Sequence, residues 1–149
     1  MNWLELTNNS TVPLAQLIPQ PFSSLRHAII TSCHEHGMRP LAFFGCPEAD
    51  QVRIYALLAD DTNSRILAAT ADFHANASEY ESLTPQLPAF CNFERELFEQ
   101  TAIKPAGHPW LKPLRAPLAS ASGKKMNDYH FWTLKGEAVH EVAVGPVHA

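Results

Sequence analysis

Twelve prolines in 149 residues set the first limit on what this chain can fold into. They gather mainly at 13–21, 85–88 and 105–117. Proline has no N–H to donate and its ring collides with the preceding helical turn, so each cluster breaks regular structure. A long helical bundle is excluded. What remains is a series of short elements between the clusters, within one domain large enough to bury a core.

The hydrophobic spacing between the clusters defines those elements. A short strand or arm is expected near Trp3–Leu6. Phe22, Leu25, Ile29, Ile30 and Cys33 follow the i, i+3, i+4 rule of a helix. Ser23 or Ser24 is expected to cap its start, and Gly37 fits the left-handed position after its end. Three strand-like runs follow at 39–45, 51–59 and 65–71, with Asp60–Ser64 as the turn between the second and third, which predicts an antiparallel hairpin. Residues 72–84 are small and polar, and Thr84-Pro85 suits a helical start. A main helix is expected over 88–103. Its apolar face is Phe90, Phe93, Leu97 and Thr101, broadened by Phe98 and Ala102, and Lys104-Pro105 is expected to end it. Residues 116–128 are expected to be a linker, and strand-like runs are expected at 129–134 and 137–144. The predicted fold class is α+β: a small, mainly antiparallel sheet with helices packed on one face and an extended C-terminal tail.

Composition removes several functions. The formal charge of −4 gives no reason to expect nucleic acid or an anionic membrane. No apolar run approaches the ~20 residues of a spanning helix, and the N-terminus has no signal-peptide pattern. Cys33, Cys46 and Cys91 stand alone, so the chain offers no C-x-x-C for an iron–sulfur cluster or a paired-cysteine metal site, and at least one free thiol favours a reducing compartment. Phosphate-binding loops, nucleophile elbows and zinc-protease motifs are missing as well.

The specific stretch is Glu94-Arg95-Glu96-Leu97-Phe98-Glu99, followed by Gly107-His108-Pro109. Glu94 and Glu96 are two apart and project from different sides of a helix, a poor arrangement for a general acid and base. Arg95 and Glu99, four apart, can pair. Composition alone favours a solvated helix face for these charges. The sharper reading is a set of ion pairs at an interface, where charge fixes register more than it adds affinity. Gly107 supplies an unusual φ, Pro109 fixes the next residue, and His108 can cap or hydrogen-bond the helix. Among eight histidines, the densest spot is Cys33-His34-x-His36. It falls at the end of the first helix, where histidines suit the dipole, and His34 and His36 point apart.

The pattern from Glu94 to Pro109 resembles the signature of the 30-kilodalton subunit of respiratory complex I, the NADH:quinone oxidoreductase. That signature is approximately E-R-E-x-x-D-x-x-G-I-x-x-x-G-H-P. The resemblance covers roughly 22–115. Glu99 stands in place of the signature's Asp, and Thr101 and Ala102 stand in place of an aromatic residue and a Gly. The last ten residues, from His140 to Ala149 and including Gly145, Pro146 and His148, resemble the opening of the large subunit of membrane-bound nickel–iron hydrogenases. In the hydrogenase-3/hydrogenase-4 type, the formate hydrogenlyase group, such a domain is fused in front of that subunit.

The resemblance implies four segments: an arm at 1–21, the family-like domain at 22–115, the linker at 116–128 and a large-subunit-like tail at 129–149. It implies a docking or assembly role without catalytic residues, cofactor or metal in this chain. The nickel–iron or quinone site and the iron–sulfur clusters would belong to the large, 49-kilodalton-like or hydrogenase, subunit and the small subunit. The implied interface residues are Glu94, Arg95, Glu96, Glu99, Gly107, His108, Pro109, Arg115, Gly145, Pro146 and His148. The implied location is cytoplasmic, peripheral to the inner membrane through those partners. Two alternatives stand beside it: a free-standing metal-dependent enzyme built on the histidines, and an orphan assembly or binding protein.

Overall fold

The computed structural model of the chain describes residues 3–74, 76–112 and 114. Its centre is a four-stranded antiparallel sheet in the order β1-β4-β3-β2, formed by β1 (Leu4–Thr7), β2 (Arg39–Pro47), β3 (Gln51–Asp60) and β4 (Arg65–His74). Short connections give the β4-β3-β2 part of the order, while β1 reaches β4 from the far end of the chain. Antiparallel neighbours need only a tight turn, and the turns 48–50 and 61–64 provide it. Asp60 organises the second turn. Its carboxylate accepts from the Asn63 N–H at 3.1 Å, from Asn63 Nδ2 at 2.8 Å and from Arg65 Nε at 2.8 Å. These bonds hold the Asp60 carboxyl below its usual range, the Asn63 side chain contributing most and Arg65 next.

Alternation along β3 places Val52, Ile54, Ala56 and Leu58 on one buried face. Helix α1 (Phe22–Glu35) lays Leu25 and Ile29 on that face, where they join one core with Ile54, Ala56 and Leu67. Burying each such side chain contributes about 1.5–3 kcal/mol. The helix starts two residues earlier than a Ser23 cap requires and three earlier than a Ser24 cap requires. Pro21 occupies the cap position without a side-chain bond, its carbonyl takes the Ser24 and Leu25 N–H groups at 3.0 and 3.1 Å, and Ser23 and Ser24 lie inside the first turn. The expected stop holds: Gly37 has φ 64° just past the end, a conformation that costs glycine nothing.

The expected main helix divides. A 3₁₀ turn at Pro88–Phe90 leads into α2 (Cys91–Thr101), and Ala102 closes it in the left-handed conformation at φ 61°, ψ 5°. Lys104-Pro105 is therefore not the helix end. Lys104–Ala106 forms β6, which pairs in parallel with β5 (Glu79–Glu81), a strand that lies in the stretch expected to be only polar connection. The pair makes a compact β-α-β unit, with α2 leaving and returning beside the same strand. The helix presses Leu97 onto β2 so closely that a Cβ on Gly45 would sit 2.6 Å from Leu97 Cδ1. Phe90 meets Phe43 edge-on at 5.6 Å. Phe22 contacts Tyr80 at 5.1 Å and Phe73 at 4.8 Å, tying α1 to the second unit. The α+β class and the placement of both helices on one face agree with the sequence; the linker and tail fall outside the described residues.

Candidate functional site

The motif residues divide into an interior lock and an exterior strap. Glu94 is completely buried. It enters the fold in the first turn of α2, and the loop after β5 closes around it. Leu83 N–H donates to Oε1 at 2.8 Å, while Thr84 N–H, Ser82 Oγ and Thr84 Oγ1 donate to Oε2 at 3.0, 2.6 and 2.5 Å. Two amide donors and two hydroxyls converging on one carboxyl group suit an acceptor-only carboxylate. A buried carboxylate is tolerable because its lone pairs are taken up in this way. Arg26 of α1 backs the same loop through the Ser82 carbonyl at 3.1 Å, Gln86 Oε1 at 2.7 Å and Glu81 at 2.8 Å. Glu94 thereby connects α2 to β5, and Arg26 extends the connection to α1. Tyr80 lies beside this lock. No acceptor meets full hydrogen-bond geometry at its buried hydroxyl, yet Glu94 acts on it in looser geometry. Burial first, and then the Glu94 charge, push the Tyr80 hydroxyl far above its usual range.

On its outer side, α2 carries a strap to which residues 107–112 and 114 contribute. Gly107, at φ 80°, turns the chain back to the start of the helix. His108 Nδ1 accepts the Trp110 N–H at 3.1 Å, which leaves Nε2 as the donor facing the Cys91 carbonyl at 3.3 Å. That tautomer follows from the bond made by the other nitrogen. Arg95, one turn on, donates from Nε to the Lys112 carbonyl at 2.7 Å and from Nη1 to Asn92 Oδ1 at 2.9 Å. Its guanidinium lies 4.7 Å from the centre of the Trp110 ring, and Lys112 Nζ lies 5.5 Å from it. Glu99, a further turn on, accepts the Leu114 N–H. Positions 91, 95 and 99 are spaced by four and share one side of a helix, so the strap follows α2 from its first turn to its last.

The solvated face expected from composition is not what these charges form. Glu94, Arg95 and Glu99 are 0%, 7% and 8% exposed. Glu96 is the half-buried member and accepts from Gln100 Nε2 at 3.0 Å. Glu94 and Glu96 point to different surroundings, as their spacing requires. His108 bonds at the start of α2 and Gly107 has the positive φ expected of it, while Pro109 is exposed in the turn. Arg115, Gly145, Pro146 and His148 lie outside the described residues. Sequence reasoning missed Ser82, Thr84 and Arg26 as lock residues and Trp110 as the large exposed apolar side chain of the strap, 52% open to solvent. Ser82 and Thr84 left a signal: a Ser-x-Thr pair before Pro85 offers two hydroxyls and free N–H groups. That signal also fits a helix cap, which is how Thr84 is read from sequence. Among the described residues, no three of His, Cys, Asp and Glu form a group able to hold a metal ion. Likewise, no helix among them is long and apolar enough to cross a membrane.

Together these features define a small α+β domain organised by a buried carboxylate and a cation-backed strap. Residues 21–121 match the family model of the respiratory-chain NADH dehydrogenase, 30 Kd subunit, and the chain belongs to that family. In a comparison with curated proteins, none matches the chain. Family membership makes it a subunit of a complex-I-like oxidoreductase.

Proposed function

We propose that the chain is a docking and assembly subunit that holds no cofactor and contacts the large and small electron-transfer subunits of its complex. The observation that carries this is the fate of the motif charges. Glu94 is enclosed by four donors from its own chain, and Arg95 and Glu99 are turned to the strap. General acid–base chemistry needs a group within reach of a substrate proton, and these groups are occupied by the framework. Their contribution to docking is indirect: Glu94 holds the fold together, and Arg95 lies over the Trp110 ring on the surface. A rigid, half-exposed indole is the kind of side chain that dominates protein interfaces.

Within complex-I-like assemblies, we favour the hydrogenase branch, on the likeness of His140–Ala149 to the start of a hydrogenase large subunit. The nickel–iron site and iron–sulfur clusters then belong to the partners. Co-expression with the large and small subunits tests the reading. The expected result is stoichiometric co-purification, with Trp110→Ala lowering the yield of assembled complex while turnover per assembled complex is unchanged. Elemental analysis of the separated chain is expected to show no stoichiometric metal. Tight one-to-one zinc or nickel in the separated chain, or redox turnover by it alone, would overturn the reading.

A further inference from the structure

Gly107-His108-Pro109-Trp110 places a titratable ring inside a turn. Gly107 has a φ of 80°. Pro109 has its φ fixed by its own ring and has no N–H, so the first main-chain donor after His108 is the Trp110 N–H. The backbone of His108 is tied down, its N–H donating to the Pro105 carbonyl at 3.2 Å. The imidazole then bridges two parts of the chain. Nδ1 accepts the Trp110 N–H at 3.1 Å, and Nε2 faces the Cys91 carbonyl in the first turn of α2 at 3.3 Å. Each nitrogen has one role: Nδ1 accepts and Nε2 donates.

Only a neutral imidazole fills both roles, because both nitrogens of an imidazolium are donors. On protonation the bond to the Cys91 carbonyl survives and gains from the charge. The bond to Trp110 does not, since Nδ1–H then points at another N–H. The charged groups on the elements around the ring do not reverse this. On α2, Glu94 is enclosed by the loop after β5, Glu96 accepts from Gln100, and Glu99 accepts the Leu114 N–H. Arg95 of α2 and Lys112 of the strap are cations and both lie at the Trp110 ring. Lys104 of β6 is a third cation, and the Cys91 thiol is half-buried. We propose that His108 is a pH-responsive latch: the neutral ring closes the turn that carries Trp110, and the protonated ring, still held on Cys91, releases it. Histidine is the side chain that ordinarily changes charge between about pH 5 and 8. The latch is a property of this chain alone and stands whether or not the docking reading does.

Nuclear magnetic resonance of the full 149-residue chain across about pH 8 to 5 tests it. In the neutral state the His108 ring is expected to carry its proton on Nε2 and to show Nδ1 bare. As pH falls, the Trp110 backbone N–H signal is expected to move with the same midpoint as the His108 ring. Its protection from solvent exchange, corrected for the intrinsic effect of pH, is expected to drop roughly two- to tenfold, the loss of one hydrogen bond. In His108→Asn a side-chain oxygen stands where Nδ1 stood, can accept from the N–H two residues on, and does not titrate. There the Trp110 N–H is expected to stay bonded and unmoved across the range. A neutral ring with its proton on Nδ1, or a Trp110 N–H that does not follow the His108 midpoint, would overturn the latch. Both readouts come from the unsubstituted chain, so they hold even where the variant does not fold. A folded His108→Asn chain whose Trp110 N–H titrates as in the parent would overturn it equally.

Discussion

Replacing Glu94 by alanine removes the common acceptor of four hydrogen bonds. The two hydroxyls can rotate toward other acceptors. The Leu83 and Thr84 amides cannot, because the loop backbone fixes them. Each buried donor left unmatched costs about 1–3 kcal/mol, so the Leu83 amide sets a loss of about 1–3 kcal/mol and the Thr84 amide, which keeps Ser82 Oγ at 3.2 Å as an acceptor, adds less than that, both reduced where a water enters the vacated space. Against a domain stability of about 5–15 kcal/mol, this is a large fraction. Glu94→Gln keeps the shape and one acceptor but turns an NH₂ toward the donors around Oε2, for an expected loss of about 1–3 kcal/mol. Urea unfolding followed by circular dichroism measures both losses. Amide exchange at Leu83 and Thr84 is expected to accelerate in step with them. The lock would be refuted by an alanine variant within about 0.5 kcal/mol of the parent, the range of an ordinary surface substitution.

Ala102 holds a left-handed conformation that favours glycine, so Ala102→Gly is expected to stabilise the chain by about 1 kcal/mol in the same unfolding assay. Gly45→Val is expected to destabilise it by about 1–3 kcal/mol, because Leu97 already fills the space, and Leu97→Ala in that background should recover part of the loss. A double-mutant cycle between Arg95→Ala and Trp110→Ala should show a coupling of about 0.5–2 kcal/mol if the stacked cation holds the strap; zero coupling would mean it does not. The Asp60 carboxyl is held below its usual range, chiefly by Asn63 and then by Arg65. Its stabilising contribution is therefore complete above the ordinary carboxylate range and is lost as pH falls through the depressed value. An Asn63 amide chemical-shift titration should follow that loss, and Asp60→Asn should flatten it.

The parts of this fold governed by local periodicity were legible from sequence. The alternation in β3 and the polar turn after Asp60 specify a hairpin without help from distant residues. The spacing of Leu25 and Ile29 does the same for α1. What stayed hidden was set by long-range contact. β5 is three residues long and has no strand pattern of its own; it exists because β6 arrives to pair with it. The helix start at Pro21 differs from the serine expectation because the preceding residues are already fixed by Gln20 bridging to Ala71 of β4. The charged motif was legible as a pattern and as a family mark. Its burial was not, because a run of acids and an arginine on a helix carries the same local signature whether it faces water or a loop rich in donors. Ser82 and Thr84 lie 12 and 10 residues from Glu94, beyond any helical or strand repeat that could link them.

The enclosure of Glu94 also bears on how such proteins change over generations. A charge in a reaction centre is free to vary once the reaction is no longer needed. A charge that satisfies the backbone of its own chain is not, because its loss is felt at folding, before any partner is met. A lineage can therefore shed its partners, its electron carriers and its original task and still transmit Glu94 unchanged. Kinship traced through this residue would follow ancestry of the scaffold, while descent of the activity would have to be traced on the surfaces that other subunits touch.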